Sequence, residues 1–222
     1  MDLSKSLEFF KPDSTMVHIV GCGSVGSTIA ENLARCGVKN MTLWDFDKVE
    51  PHNVANQMFR QQDISKMKVD ALKDILLEIN PDIIDGIKLK PNGWKGEMLS
   101  GYIFLAVDSI EIRQEIVKKH YDNAYVKAMF DCRTGLTGAQ GYCAIWQNRD
   151  MKEKFLASMN FSHEEAAEET PVSACGVTLG VMSTVRIVSA LTVNNYIKVV
   201  KGETPWKFFM FDGFAGTLDA FE

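Results

Sequence analysis

Hydrophobic positions along this chain keep switching period, and the switches mark its elements. From Val17 to Asp47 a short apolar run, His18-Ile19-Val20, leads through a glycine turn into a helix over Ser27–Arg35. A second strand then ends on Asp45. A polar loop follows, Lys48–Arg60, where Pro51 and Asn53 mark irregular backbone. Val69, Leu72, Ile75, Leu76 and Ile79 then recur at helical spacing and predict a helix over Lys66–Ile79, ended by Asn80-Pro81. Strands are predicted at Ile83–Leu89 and, as a continuous apolar run, at Tyr102–Val107. Helix Ile110–His120 and strand Ala124–Asp131 complete this half. Such alternation of strand and helix implies a mostly parallel sheet.

The pattern then changes. Cys132–Gly141 is glycine-rich and joins the previous strand to Tyr142–Trp146 by a short turn, which implies antiparallel pairing. Gln147–Val172 is polar, acidic and helical in part. It reads either as a mobile crossover segment, about 148–172, or as a packed helix pair. A long helix is predicted over Val177–Val200, then strands Trp206–Asp212 and Gly216–Phe221 around Gly213. The expected fold is α/β: a mixed sheet, parallel in its N-terminal half and antiparallel after it, with helices on both faces. One domain is expected to span residues 1–222.

Composition narrows the function classes. Of 222 residues, 46% are hydrophobic and 24% charged, an ordinary globular balance. The net charge of −5 argues against a general nucleic-acid binder. Val177–Val200 is apolar but carries Arg186, Asn194, Asn195 and Lys198, so it reads as a core or interface helix and not as a membrane span. The opening MDLSKSLEFFKPDS has no secretory pattern. Five scattered cysteines form no C-x-x-C pair, so no structural zinc is expected and free thiols in the cytoplasm are.

Gly21, Gly23 and Gly26 form G-x-G-x-x-G between a strand and a helix. The first glycine permits a tight turn, the second a close backbone approach to phosphate, and the third packing of helix on strand. Asp45, at the end of the second strand, is placed to hold ribose hydroxyls, which makes the turn Rossmann-like; a glycine turn without ligand is the bland alternative. Asp45-Phe46-Asp47, Asn53, Gln57, Arg60, Lys68 and Asp108 extend this into a polyphosphate site. A carboxylate beside polyphosphate needs a cation, so Asp108 implies magnesium. Each has a structural alternative: Asn53 as a turn residue, Lys68 and Arg60 as surface charges, Asp108 as the cap of the following helix.

The runs D-F-D-K-V-E-P-H-N-V-A-N-Q-M-F, S-K-M-K-V-D-A-L and A-V-D-S-I-E-I-R resemble the activating enzymes of ubiquitin-like proteins, with the bacterial ThiF/MoeB/HesA branch nearest in size. The resemblance runs from the glycine loop to about Asp122, then returns at Gly176–Val200 and at F-M-F-D-G. It implies ATP- and magnesium-dependent adenylation of a C-terminal carboxylate with release of pyrophosphate. The substrate would be a small ubiquitin-like or sulfur-carrier protein or a peptide, and the enzyme a homodimer. By position Asp45 would hold the ribose, Asn53 and Lys68 the phosphates, and Asp108 the magnesium. Arg113 matches a recurrent, structural arginine.

The chain also departs from that pattern. Asn56 stands where the family's loop arginine belongs, and Arg60, one turn on, is the substitute candidate. The first arginine is Arg35, so the N-terminal arginine contact across a dimer is missing or comes from elsewhere, and the relatives' zinc cysteines are absent. Cys175, in V-S-A-C-G-V, is either a thioester nucleophile or a packed residue. Arg133 either meets the partner's tail or pairs with Asp131. Two further readings stay open: an NAD-dependent oxidoreductase, and a non-catalytic nucleotide-binding subunit, which Asn56 favours.

Overall fold

The computed structural model describes residues 1–161 and 181–222. Its strands are β1 (Val17–Val20), β2 (Met41–Trp44), β3 (Ile87–Lys90), β4 (Gly101–Leu105), β5 (Val126–Thr134), β6 (Gly138–Ile145), β7 (Phe208–Asp212) and β8 (Thr217–Phe221). The described helices are α1 (Ser24–Arg35), α2 (Lys68–Ile79), α3 (Ile110–Lys119), α4 (Arg149–Ala157) and α5 (Met182–Lys201). All eight strands join one sheet in the order β3-β2-β1-β4-β5-β6-β7-β8. Pairing is parallel from β3 to β5 and antiparallel from β5 to β8. The expected mixed architecture is the one found.

Alternate residues of the central strands feed two cores, as strand geometry requires. Val17, Ile19, Phe104 and Phe130 pack under α1, α2 and α5. Val20, Ile103, Leu105 and Met129 pack under α3 and α4. On the first face the rings of Phe104 and Phe130 stack at 4.6 Å, and Tyr196 of α5 meets both edge-on or tilted. Glu31, buried on α1, binds Arg35 at 3.0 Å and Arg186 of α5 at 2.7 Å, which ties the two helices.

Several boundaries move for local reasons. Helix α1 starts at Ser24 and not at Ser27, with Gly23 as its N-cap, so the third glycine lies inside the first turn. The strand predicted from Ile83 starts only at Ile87. Before it Asn80, buried and bonded to the Ala34 carbonyl at 3.0 Å, caps a short 3-10 turn at Pro81–Ile83. The Cys132–Gly141 turn shrinks to residues 135–137 because the ladder runs on to Thr134 opposite Ala139. A side chain on Gly141 would overlap the Phe209 ring, so its glycine lets β6 and β7 close. Within the predicted crossover segment, α4 is a packed helix that is capped by Asn148 and buries Met151 and Phe155. The rest of that segment from residue 162, Cys175, and the predicted helix start at Val177 lie outside the described residues. In the Trp206–Phe211 run, Phe209 is core while Met210 is exposed.

His18 is buried on β1, and its Nδ1 accepts from the Trp44 indole at 3.2 Å. Burial pushes its pKa down to about 4. The folded state therefore resists protonation, so this contribution to stability is full above pH 6.5 and is lost as pH falls towards 4. At pH 4.5 the loss amounts to about 2–3 kcal/mol at ~1.4 kcal/mol per unit. Urea denaturation at pH 7 and 4.5 checks it: His18→Gln, which keeps an acceptor for Trp44, is expected to lose that much less than the wild type between the two.

Candidate functional site

Strand β1 lies between β2 and β4, so chain order reverses there and the loops after β1 and β4 open a crevice at their carboxyl ends. The three glycines of the loop after β1 serve three separate ends. Gly21 has φ +94°, and a Cβ on it would lie 2.5 Å from the Ala106 carbonyl oxygen. A Cβ on Gly26 would overlap the Gly21 carbonyl, so that glycine seats α1 against the loop. A Cβ on Gly23 would meet nothing within 4 Å; it would project into open space at the helix N-terminus, which carries no side-chain cap. Helix N–H groups left open in this way favour an anion.

Asp45 staples the loop. Its Oδ2 accepts from the Cys22 amide at 2.7 Å, and its Oδ1 from the Asp47 amide at 2.8 Å. Burial raises its pKa, against the pull of those amides and of Lys68. Each oxygen keeps a lone pair for a further donor such as a ribose hydroxyl. Lys68 opens α2, and its buried ammonium donates to Asp47 Oδ2 at 2.9 Å. Burial lowers its pKa, but the Asp47 hydrogen bond and the charges of Asp45, Asp47 and Asp108 outweigh that and leave it raised. One lysine thus feels three carboxylates from the loops after β2 and β4.

Asp108 is exposed, and the cap position it was considered for belongs to its neighbour: Ser109 Oγ accepts from the Ile112 amide at 3.2 Å. Among the described residues the Asp108 carboxylate has no hydrogen-bond partner, and the cation whose charge it feels is Lys68. No three His, Cys, Asp or Glu side chains among the described residues converge on a metal position. Magnesium commonly takes one or two carboxylates and completes its shell with phosphate oxygens and water. Asp108 fits that donor set.

The loop residues divide. Asn53 Oδ1 accepts from the Glu50 amide at 2.9 Å, so it makes the turn contact that its alternative reading foresaw; its side-chain nitrogen makes no bond among the described residues. The side-chain oxygens of Asn56 and Gln57 are buried and have no partner among the described residues. Buried acceptors of this kind are rare, and a donor-bearing ligand would satisfy them. The loop is docked on α1 by the Met58 amide, 3.3 Å from Ser27 Oγ, a contact no sequence signal announced.

Arg60 is not presented to the crevice as a free cation. It binds buried Asp63 at 2.8 Å and Glu78 at 2.7 Å. Burial alone would raise the Asp63 pKa; Arg60 and Lys66 hold it down to about 2. Arg60 therefore clamps the loop to α2, and its delivery to a phosphate requires both pairs to break. Of Arg133's two readings, the pair with Asp131 is the one formed, at 2.7 Å. Burial raises the thiol pKa of Cys22, Cys36, Cys132 and Cys143, which makes them poor nucleophiles.

A model of the ThiF family matches residues 11–222. Ubiquitin-like modifier-activating enzyme 5 of Caenorhabditis elegans is 42% identical over 67 residues, 30% of this chain and 16% of that protein. Its Arabidopsis thaliana counterpart is 46% identical over 68 residues, 31% and 16% respectively. Among solved structures, PaaA superposes with a TM-score of 0.70 at 19% identity over 94% of this chain and 64% of its own. E. coli MccB with ATP gives 0.69 at 16% over 93% and 63%, and MccB with MccA 0.71 at 17% over 93% and 62%. These structural likenesses show the fold. The chain spans less than two thirds of either structural neighbour, and the matched stretch covers about a sixth of the two activating enzymes.

The glycine assignments are separable by stability. Gly26→Ala is expected to lose about 1–3 kcal/mol by overpacking, whereas Gly23→Ala, with φ −73° and free space around it, should melt with the wild type. Thermal denaturation of the two variants checks both.

Proposed function

The chain belongs to the ThiF family, and on that footing we propose that it adenylates the C-terminal carboxylate of a small ubiquitin-like or sulfur-carrier protein or of a peptide, consuming ATP with magnesium and releasing pyrophosphate. The observation that carries the reading is the grouping of Lys68, Asp45, Asp47 and Asp108 around the open cradle at Gly23.

In this scheme the triphosphate lies on the glycine loop, with the α1 N-terminus facing it. Asp45 takes the ribose hydroxyls. Lys68 and the side-chain amide nitrogens of Gln57 and Asn53 face the phosphates. Asp108 would hold a magnesium ion, which supplies charge neutralisation on the phosphate oxygens. The attacking carboxylate is already ionised at neutral pH, so no general base is needed. One of its oxygens bonds to the α-phosphorus while the bond from that phosphorus to the bridging oxygen breaks. The electron pair of that bond leaves with pyrophosphate. The protein's part is position and electrostatics. PaaA and MccB share the fold, and MccB has been crystallised with ATP and with MccA; the ATP complex supports a nucleotide in the crevice. We also propose a homodimer on the same family basis, and a cytoplasmic location on the scattered, unpaired cysteines of the sequence. Cys175 stays a proposed acceptor of the activated tail.

One observation favours a second reading, a nucleotide-binding subunit without catalysis. Asn56 replaces the loop arginine, and Arg60 is held by Asp63 and Glu78. Among the described residues, the loop therefore brings no free arginine.

Exchange of labelled pyrophosphate into ATP, driven by a Gly-Gly-ended tail peptide, separates the two. The wild type is expected to catalyse exchange, and Lys68→Ala and Asp108→Asn to lower it by about 10²–10³-fold, the scale of one lost electrostatic contact. ATP binding without exchange would establish the non-catalytic subunit. Gly23→Ala is expected to weaken ATP binding at unchanged melting temperature. NAD binding in preference to ATP in the same titration would overturn both readings.

A further inference from the structure

Behind Asp108 lies an ion cluster that the reaction scheme leaves unused. Arg113 of α3 is buried. Its Nε, 2.8 Å away, and its Nη2, 2.5 Å away, both donate to the Val107 carbonyl. Its Nη1 donates to Asp131 Oδ1 and, at 2.9 Å, to the Cys132 carbonyl. Asp131 is fully buried on β5, and its other oxygen takes Arg133 Nε at 2.8 Å. Arg133 reaches on to the Ser158 carbonyl at 2.7 Å and Ser158 Oγ at 3.1 Å, and it lies 4.5 Å over the Tyr142 ring.

A buried arginine–aspartate–arginine group contributes little stability over apolar residues of the same volume, because desolvation offsets attraction. Its geometry gives it another use. The Val107 carbonyl belongs to the residue just before Asp108. On the opposite side of the same strand end, Gly21 leaves no room: its Cβ would lie 2.5 Å from the Ala106 oxygen and 2.8 Å from the Val107 nitrogen. The backbone that carries Asp108 is thus gripped from one side by the glycine loop and from the other by a guanidinium. Lysine cannot reproduce that grip, since it offers a point charge and not a planar fork that reaches Val107, Asp131 and Cys132 together.

We propose that Arg113 is a positioning residue: it fixes the Val107 carbonyl and so aims Asp108 at the metal and phosphates of the nucleotide, while Asp131 and Arg133 set the angle of its guanidinium and link it to the end of α4. The consequence rests on the adenylation reading; the geometry does not.

The test is Arg113→Lys in the full chain, read two ways. Hydrogen exchange of residues 106–109 in the unliganded protein is expected to quicken at least tenfold, with β1 and the rest of α3 unchanged. In a titration of manganese into protein and ATP, the metal concentration at half saturation is expected to rise about tenfold, the cost seen when residues supporting a metal ligand are lost. Combined with Asp108→Asn, Arg113→Lys should add nothing further. A lowered melting temperature with unchanged exchange at 106–109 would overturn the proposal, as would quickened exchange with unchanged metal affinity. If Arg113→Lys does not fold, Arg133→Lys, which keeps a cation beside Asp131 and loses the Ser158 contacts, decides by the same two readouts with an expected threefold change; no change in either overturns it. A wild type that binds no manganese–ATP would sink the adenylation reading, and the exchange result alone would then decide the role of Arg113.

Discussion

The molecule turns on a close contact between the ends of two adjacent strands. The peptide joining Ala106 to Val107 occupies the space where residue 21 would carry a side chain. Because Gly21 has none, and takes a positive φ that other residues avoid, the loop after β1 and the loop after β4 touch. Everything proposed for the crevice depends on that distance. The open N-terminus of α1 belongs to one loop and Asp108 to the other.

Around this contact the charges are arranged economically. Asp45 spends one lone pair from each oxygen on local amides and keeps the others. Lys68 is tied to Asp47 through both its backbone and its ammonium, so the start of α2 and the loop after β2 move together. Three carboxylates and one lysine leave the crevice with a negative excess before any nucleotide enters. On the proposed reading, a polyphosphate there would call for a divalent cation and the helix N-terminus as its partners. The diversion of Arg60 to Asp63 and Glu78 sharpens that need.

Behind the crevice, the same strand end is held by Arg113, and through Asp131 and Arg133 the hold extends to the end of α4. An ion cluster that adds little net stability can still define one arrangement among several apolar alternatives. Here that arrangement sets where Asp108 points.

Much of this was legible in the chain itself. The period of apolar residues marked the strands and helices, because a strand buried on both faces and an amphipathic helix cannot be written with the same pattern, and the short glycine-rich turn after Asp131 marked the change to antiparallel pairing. The spacing of Gly21, Gly23, Gly26, Asp45 and Asp108 determined which residues would share a sheet edge, since side chains at the carboxyl ends of neighbouring parallel strands must meet. Partner choice was not legible. Arg60 reads alike whether it faces a phosphate or Asp63, Asn53 alike whether it holds a turn or a ligand, and Asp108 alike with or without a capping duty that Ser109 performs. Arg113 and Asp131 are 18 residues apart on different elements, and no local period couples them. Such choices depend on which groups of opposite charge arrive within about 3 Å once the sheet is assembled, and only the packed structure decides that.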